Sequence, residues 1–127
     1  MSPPAAARAV VLIDHGSRRD EANAQLDALA ARVAARLPDW IVRIAHLELL
    51  PPTLADAIDA CVAAGACEIV IHPFFLTPGR HASADIPRLA TEAAARHPGV
   101  TLRTSEILGL HESIVDVVLE RIERAAS

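Results

Sequence analysis

Val10-Val11-Leu12-Ile13-Asp14-His15-Gly16-Ser17-Arg18-Arg19 decides the fold. Four aliphatic residues, three of them β-branched, run directly into an acid, a histidine, a glycine, a hydroxyl and two arginines. A short continuous apolar run of this kind reads as a strand buried on both faces. The polar burst then lies where the strand emerges from the core. In an open α/β sheet, ligands bind outside the carboxyl ends of the strands. His15 is therefore expected at the functional edge of such a sheet.

Outward from this stretch, strand-like and helix-like segments alternate. Residues 20–37 place Leu26, Leu29, Ala30, Val33 and Leu37 at helical spacing, and Pro38-Asp39 ends that helix. Trp40 to Leu47 reads as a strand interrupted by Arg43 and His46, hence an edge. Pro51-Pro52-Thr53 opens a second helix, with Thr53 as N-cap and Asp56 three residues on, and Gly65 stands where it should stop. Glu68 to Phe75 is apolar on both faces and reads as a second central strand. After the loop Leu76 to Ala82, a third helix is expected to start between Ser83 and Pro87, with the proline in its first turn, and to end at His97-Pro98-Gly99. Val100 to Thr104 alternates as an edge strand. A last helix from about His111 carries Ile114, Val118 and Ile122 on one face, with Val115 and Leu119 beside them.

Four β-α units in succession predict an α/β fold: a four-stranded parallel sheet with right-handed crossovers and helices on both faces. Central character in strands one and three gives the order 2-1-3-4. Residues 1–8 are expected to form a short flexible N-terminus and 9–127 a single domain. The connections diverge between strands one and three, so the loops carrying His15 and His81 should flank one crevice. Glu48 follows strand two beside His15, and Glu106 follows strand four beside the His81 loop.

Composition excludes several classes. The chain of 127 residues has a net charge of −4, and all 12 of its basic residues are arginine. It holds only two phenylalanines and one tryptophan, with no tyrosine. Neither a basic footprint nor a base-stacking platform for nucleic acid is present. GxGxxG and GxxxxGK[ST] are both absent, so dinucleotide and P-loop nucleotide binding have no support. No apolar run reaches the length of a membrane span. Met1 to Ala7 lacks the basic and apolar regions of a signal peptide, and Cys61 and Cys67 read as reduced core thiols. A cytoplasmic protein without membrane or nucleic-acid partners is the expectation.

Two histidines and a carboxylate converging from separate loops suit a borderline divalent metal such as cobalt, nickel, iron or zinc. Nothing matches a closed structural zinc site. The other histidines have structural readings: His72 lies inside a strand, His97 at a helix end where its charge complements the dipole, and His111 near a helix start. Glu106 fits a solvated acid at least as well as a ligand. His46 stays open, two residues from Glu48. His15-Gly16 after a buried strand is also how histidine-phosphatase sites begin. Those sites need an arginine directly before the histidine, whereas Asp14 there would repel phosphate.

Taken together, His15-Gly16-Ser17-Arg18, Leu47-Glu48-Leu49 with Pro52, Phe74-Phe75-Leu76 with Gly79-Arg80-His81, and Asp85-Ile86-Pro87 resemble the sirohydrochlorin chelatase family. The likeness covers nearly the whole chain after Ala9 and is nearest to the short, single-lobe cobaltochelatase form. It implies a class II chelatase fold in which short chains pair as homodimers, building what longer relatives make from two fused lobes. It implies insertion of cobalt, iron or nickel into a carboxylate-rich tetrapyrrole, with the metal as substrate and no tightly bound cofactor. It puts the metal-site histidines at His15 and His81 and the assisting glutamate at Glu48. At position 46 it leads one to expect an apolar or aromatic side chain rather than His46.

The chemistry agrees with that assignment. Insertion needs a desolvated ion and removal of two pyrrole protons, and an imidazole with a pKa near ~6.5 can ligate or accept a proton. Ser17, Arg18, Arg19, Gly79 and Arg80 are the candidate substrate-holding residues: the arginines for carboxylates, and Gly79, like Gly16, for close backbone approach to a flat ring. A carrier that binds metal or tetrapyrrole without catalysis would use the same residues.

Overall fold

The computed structural model describes residues 7–126 apart from Pro78, and residues 80–83 through their backbone alone. The elements alternate as β1 (Ala7–Asp14), α1 (Asp20–Arg36), β2 (Trp40–His46), α2 (Leu54–Ala63), β3 (Ala66–Pro73), α3 (Arg80–Arg96), β4 (Thr101–Thr104) and α4 (Glu112–Ala126). All pairings are parallel, and the sheet order is β2-β1-β3-β4.

β1 is central because its side chains can be buried on both faces. Ala9, Val11 and Ile13 face the larger core, with Ile58 and Cys61 of α2, Ile69 and Ile71 of β3, and Ile86 and Ala93 of α3. Val10 and Leu12 point the other way, against Leu26 and the apolar stripe of α1. Two helices, α2 and α3, thus cover the first face, and α1 alone covers the second over β1 and β2. The capping box expected at Thr53 is formed: its hydroxyl accepts from Asp56 N–H, and the Asp56 carboxylate accepts from Thr53 N–H. Gly65, at φ +101°, turns the chain out of α2 into β3.

Four expectations are corrected. Ala7 and Arg8 belong to β1 rather than to a flexible terminus. Arg8 is tied down by an ion pair with Glu68 at 3.5 Å and lies over the Trp40 ring at 5.7 Å. Residues 1–6 are outside the described part. β3 runs from Ala66 to Pro73, so Phe74 and Phe75 lie past the strand, in the loop that follows it. Cys61 is buried, as expected, but Cys67 is exposed; both are free thiols. Finally, α3 begins at Arg80 with Gly79 at its N-cap, and Pro87 sits inside the helix. Proline there lacks an amide donor and crowds the preceding turn. Burial of its neighbour Ile86 against the core, at 3 % exposure, holds the helix through it.

α4 differs from the other helices. It has no buried residue, and Val115, Val118, Leu119 and Ile122 are all exposed. Among the described residues, no helix is long and apolar enough to cross a membrane.

Candidate metal centre

The carboxyl edge of the sheet is stitched by backbone hydrogen bonds that continue the strand ladders into the loops. Leu47 N–H donates to Asp14 O at 2.8 Å and Glu48 N–H to His15 O at 3.0 Å, joining the β2–α2 loop to the β1–α1 loop. Phe74 N–H donates to Ile13 O at 2.8 Å, and Leu108 N–H to Phe75 O at 3.0 Å. Each loop that follows a strand is thus registered on its neighbour. The sequence pattern places His15 and Glu48 side by side, and the fold does so through main-chain bonds.

His15 is exposed at this edge. Its ring lies 4.4 Å from that of Phe75, tilted by 33°. The buried phenylalanine gives the exposed histidine an apolar floor. A cavity of about 260 Å³ adjoins it, lined by Asp14, His15, Gly16, Ser17, Phe74 and Phe75 together with α1 residues. Phe75 also walls a second, larger cavity of about 660 Å³ between α3 and the β4–α4 loop. That cavity is lined mainly by apolar residues such as Pro73, Ile86, Ile107 and Leu108, with Gly79, Glu106 and His111 among the others. The expected neighbourhood of Glu106 and the loop before α3 is therefore present. Phe75 lines both the small cavity beside His15 and the larger one between α3 and the β4–α4 loop.

The turn after His15 is built by its own side chains. Gly16 has φ +87°, and its N–H donates to Asp14 Oδ1 at 3.0 Å. Asn23, from the first turn of α1, accepts from Ser17 N–H at 3.0 Å and donates to Ser17 O at 2.7 Å. The Ser17 hydroxyl accepts from Arg19 N–H, so it serves the turn. Arg18 and Arg19 are exposed beside it, free to face an anionic ligand. Asn23 is one of only two buried polar residues among those described, and it was not singled out by sequence. Its signal is a short amide one turn before Leu26 on the buried stripe of α1.

On the other side of the centre, Glu48 is exposed, and Leu49 after it takes a left-handed backbone at φ 78°. That conformation is disfavoured for a side chain of this size and is found where a loop must be held in one shape. His81 falls in the first turn of α3 rather than in a loop. Its side chain and that of Arg80 lie outside the described part. Among the described residues, no three His, Cys, Asp or Glu side chains stand close enough to hold a metal ion.

The remaining histidines have identifiable partners. His46 is buried and its Nδ1 lies 2.6 Å from Asp14 Oδ1. His72 Nδ1 lies 2.7 Å from Ser105 Oγ, and burial pushes its pKa below the ordinary 6.5. His97 caps α3, as its position indicates, and bonds Asp59 through Nε2 at 2.7 Å. His111 Nδ1 accepts from Ser113 N–H at the start of α4.

Comparison with known proteins agrees with this architecture. The sirohydrochlorin ferrochelatase of Arabidopsis thaliana chloroplasts is 40% identical over 118 residues, covering 93% of this chain and 52% of that protein. The crystal structure of the sirohydrochlorin chelatase SirB from Bacillus subtilis subspecies spizizenii, in complex with cobalt, superposes with a TM-score of 0.87 at 30% identity. The match covers 93% of this chain and 50% of that one. The CbiX protein of Marinobacter aquaeolei VT8 superposes with a TM-score of 0.77 at 30% identity, over 92% of this chain and 98% of that one. The chain therefore spans about half the length of the plant and Bacillus relatives and nearly all of the Marinobacter one. The CbiX family model matches residues 9–125, and the chain belongs to that family.

Proposed function

We propose that this chain inserts a divalent metal into sirohydrochlorin, acting as a lyase-type chelatase. The observation that carries the reading is the exposed imidazole of His15, seated on Phe75 at the carboxyl edge of the sheet and linked to the Glu48 backbone. Relatives with this fold include proteins named for chelation of cobalt and of iron by sirohydrochlorin. Two imidazoles and a carboxylate suit cobalt, iron and nickel alike, so the metal is a substrate chosen by supply.

In this reading His15, His81 and Glu48 meet the incoming ion on one face of the macrocycle. The metal replaces two pyrrole N–H protons. One imidazole accepts the two protons in succession, and Glu48, exposed at the rim, passes each of them to solvent. Arg18, Arg19 and Arg80 hold peripheral carboxylates, and Gly79 lets the ring approach the backbone. Sirohydrochlorin is a broad plate, and the single lobe offers one wall. A second copy, brought in through the exposed face of α4, supplies the other. The two free thiols fit a reducing compartment such as the cytoplasm.

The test is metal insertion followed by absorbance, using purified protein, sirohydrochlorin and Co(II), Fe(II) or Ni(II) in turn. His15→Ala and His81→Ala are expected to abolish acceleration, and Glu48→Gln to slow it. Full turnover in both histidine variants would sink the proposal. Single-turnover mixing separates an enzyme from a carrier: a carrier binds both components without speeding formation of the metallated ring.

A further inference from the structure

We infer that His46 is a positioning residue for the metal centre, acting through the carboxylate of Asp14. The inference rests on the reading of His15 and Glu48 as metal-facing groups and adds a residue that does not itself face the metal. His46 closes β2 at 3 % exposure, among the most buried polar groups described. A side chain there for packing alone would be apolar, because a buried imidazole is unfavourable unless its nitrogens are bonded.

His46 Nδ1 lies 2.6 Å from Asp14 Oδ1. A carboxylate oxygen only accepts, so Nδ1 carries the proton and donates. The same Oδ1 accepts from Gly16 N–H at 3.0 Å. Asp14 and Gly16 flank His15 in the chain, so this carboxylate closes a turn around the residue whose imidazole stands at the site. His46 holds the carboxylate in place from beneath.

The other loop is engaged as well. His46 N–H donates to Pro52 O at 2.9 Å, across the base of the β2–α2 loop. The next two residues, Leu47 and Glu48, donate to Asp14 O and His15 O. Gly16 packs so closely here that a Cβ on it would lie 3.2 Å from the His46 Cβ. One buried imidazole therefore sits where both metal-facing loops leave the sheet. Such outer partners orient the groups that touch a metal, and their loss typically lowers metal affinity about 10–100-fold.

The experiment compares wild type, His46→Leu and His46→Asn by Co(II) titration, reading visible absorption bands, and by insertion kinetics. Leucine keeps the apolar volume and removes the donor; asparagine places an amide nitrogen near the position of Nδ1. His46→Leu is expected to lose about ten-fold or more in cobalt affinity and to alter the cobalt bands, leaving KM for the tetrapyrrole unchanged. His46→Asn is expected to restore most of that affinity. Wild-type affinity and bands in His46→Leu would overturn the inference, and so would His46→Asn failing as badly as His46→Leu. If circular dichroism shows His46→Leu unfolded, Asp14→Ala takes its place, with the same loss expected and unchanged affinity overturning the inference. A wild-type protein that binds no cobalt overturns the metal reading and this inference together. A wild type that binds, with variants that match it, overturns this inference alone.

Discussion

A Cβ added to Gly16 would collide with the backbone carbonyl of Glu48, far inside contact distance. The two loops that present His15 and Glu48 are packed so tightly that only a glycine fits between them. Its φ of +87° independently favours glycine. Gly16→Ala is therefore expected to destabilise the chain by about 1–3 kcal/mol and to separate His15 from Glu48. Urea denaturation checks the first effect and cobalt titration the second. Unchanged stability would show that the loops can move apart without penalty.

His72 gives neutral-pH sensitivity. Burial holds its pKa below the ordinary 6.5, so near that pH the unfolded chain binds more protons than the folded one. Stability is then fully present above 6.5 and declines as pH falls toward the lowered value. The slope is at most about 1.4 kcal/mol per pH unit. Urea melts between pH 7.5 and 5 should show it, with the slope reduced in His72→Leu. An identical slope in the variant would assign the effect elsewhere.

Asp59 acts at acid pH. Its Oδ1 accepts from His97 Nε2 at 2.7 Å and Arg96 Nη2 at 3.0 Å, and these bonds, His97 first, lower its pKa from 3.8. The stabilisation is present above 3.8 and lost as pH falls through the lowered value. The carboxylate is 52% exposed, so solvent screening keeps the contribution within about 1 kcal/mol. Asp59→Asn should lose that increment at pH 6 and match wild type near pH 2. A variant as stable as wild type at pH 6 would make this link between α2 and α3 energetically silent.

The exposed apolar face of α4 is expected to bury against a second copy. Light scattering should give a dimer for the wild type and a monomer for Leu119→Glu combined with Ile122→Glu, with helix content retained by circular dichroism. A strictly monomeric wild type would remove the second wall from the proposed tetrapyrrole site.

Sequence alone determined the β-α alternation, the parallel sheet and its order, because burial on both faces leaves a continuous apolar run that local reading detects. Val10 to Ile13 showed this for β1, and Ile69 to Ile71 for β3. It also determined that His15 and Glu48 end neighbouring strands, since chain order and strand order together fix which loops meet. Helix boundaries set by packing were less legible. Pro87 signals a first turn locally, but burial of Ile86 carries α3 back to Arg80, so His81 belongs to a helix. The partners of His46 and Asn23 were decided by tertiary structure alone. Asp14 and His46 are 32 residues apart, and Ser17 and Asn23 meet only because α1 packs back over β1. A buried hydrogen bond across strands leaves no periodic trace in the chain, whereas a buried face does. The opening stretch therefore shows what stands at the sheet edge, and only the fold shows what holds it there.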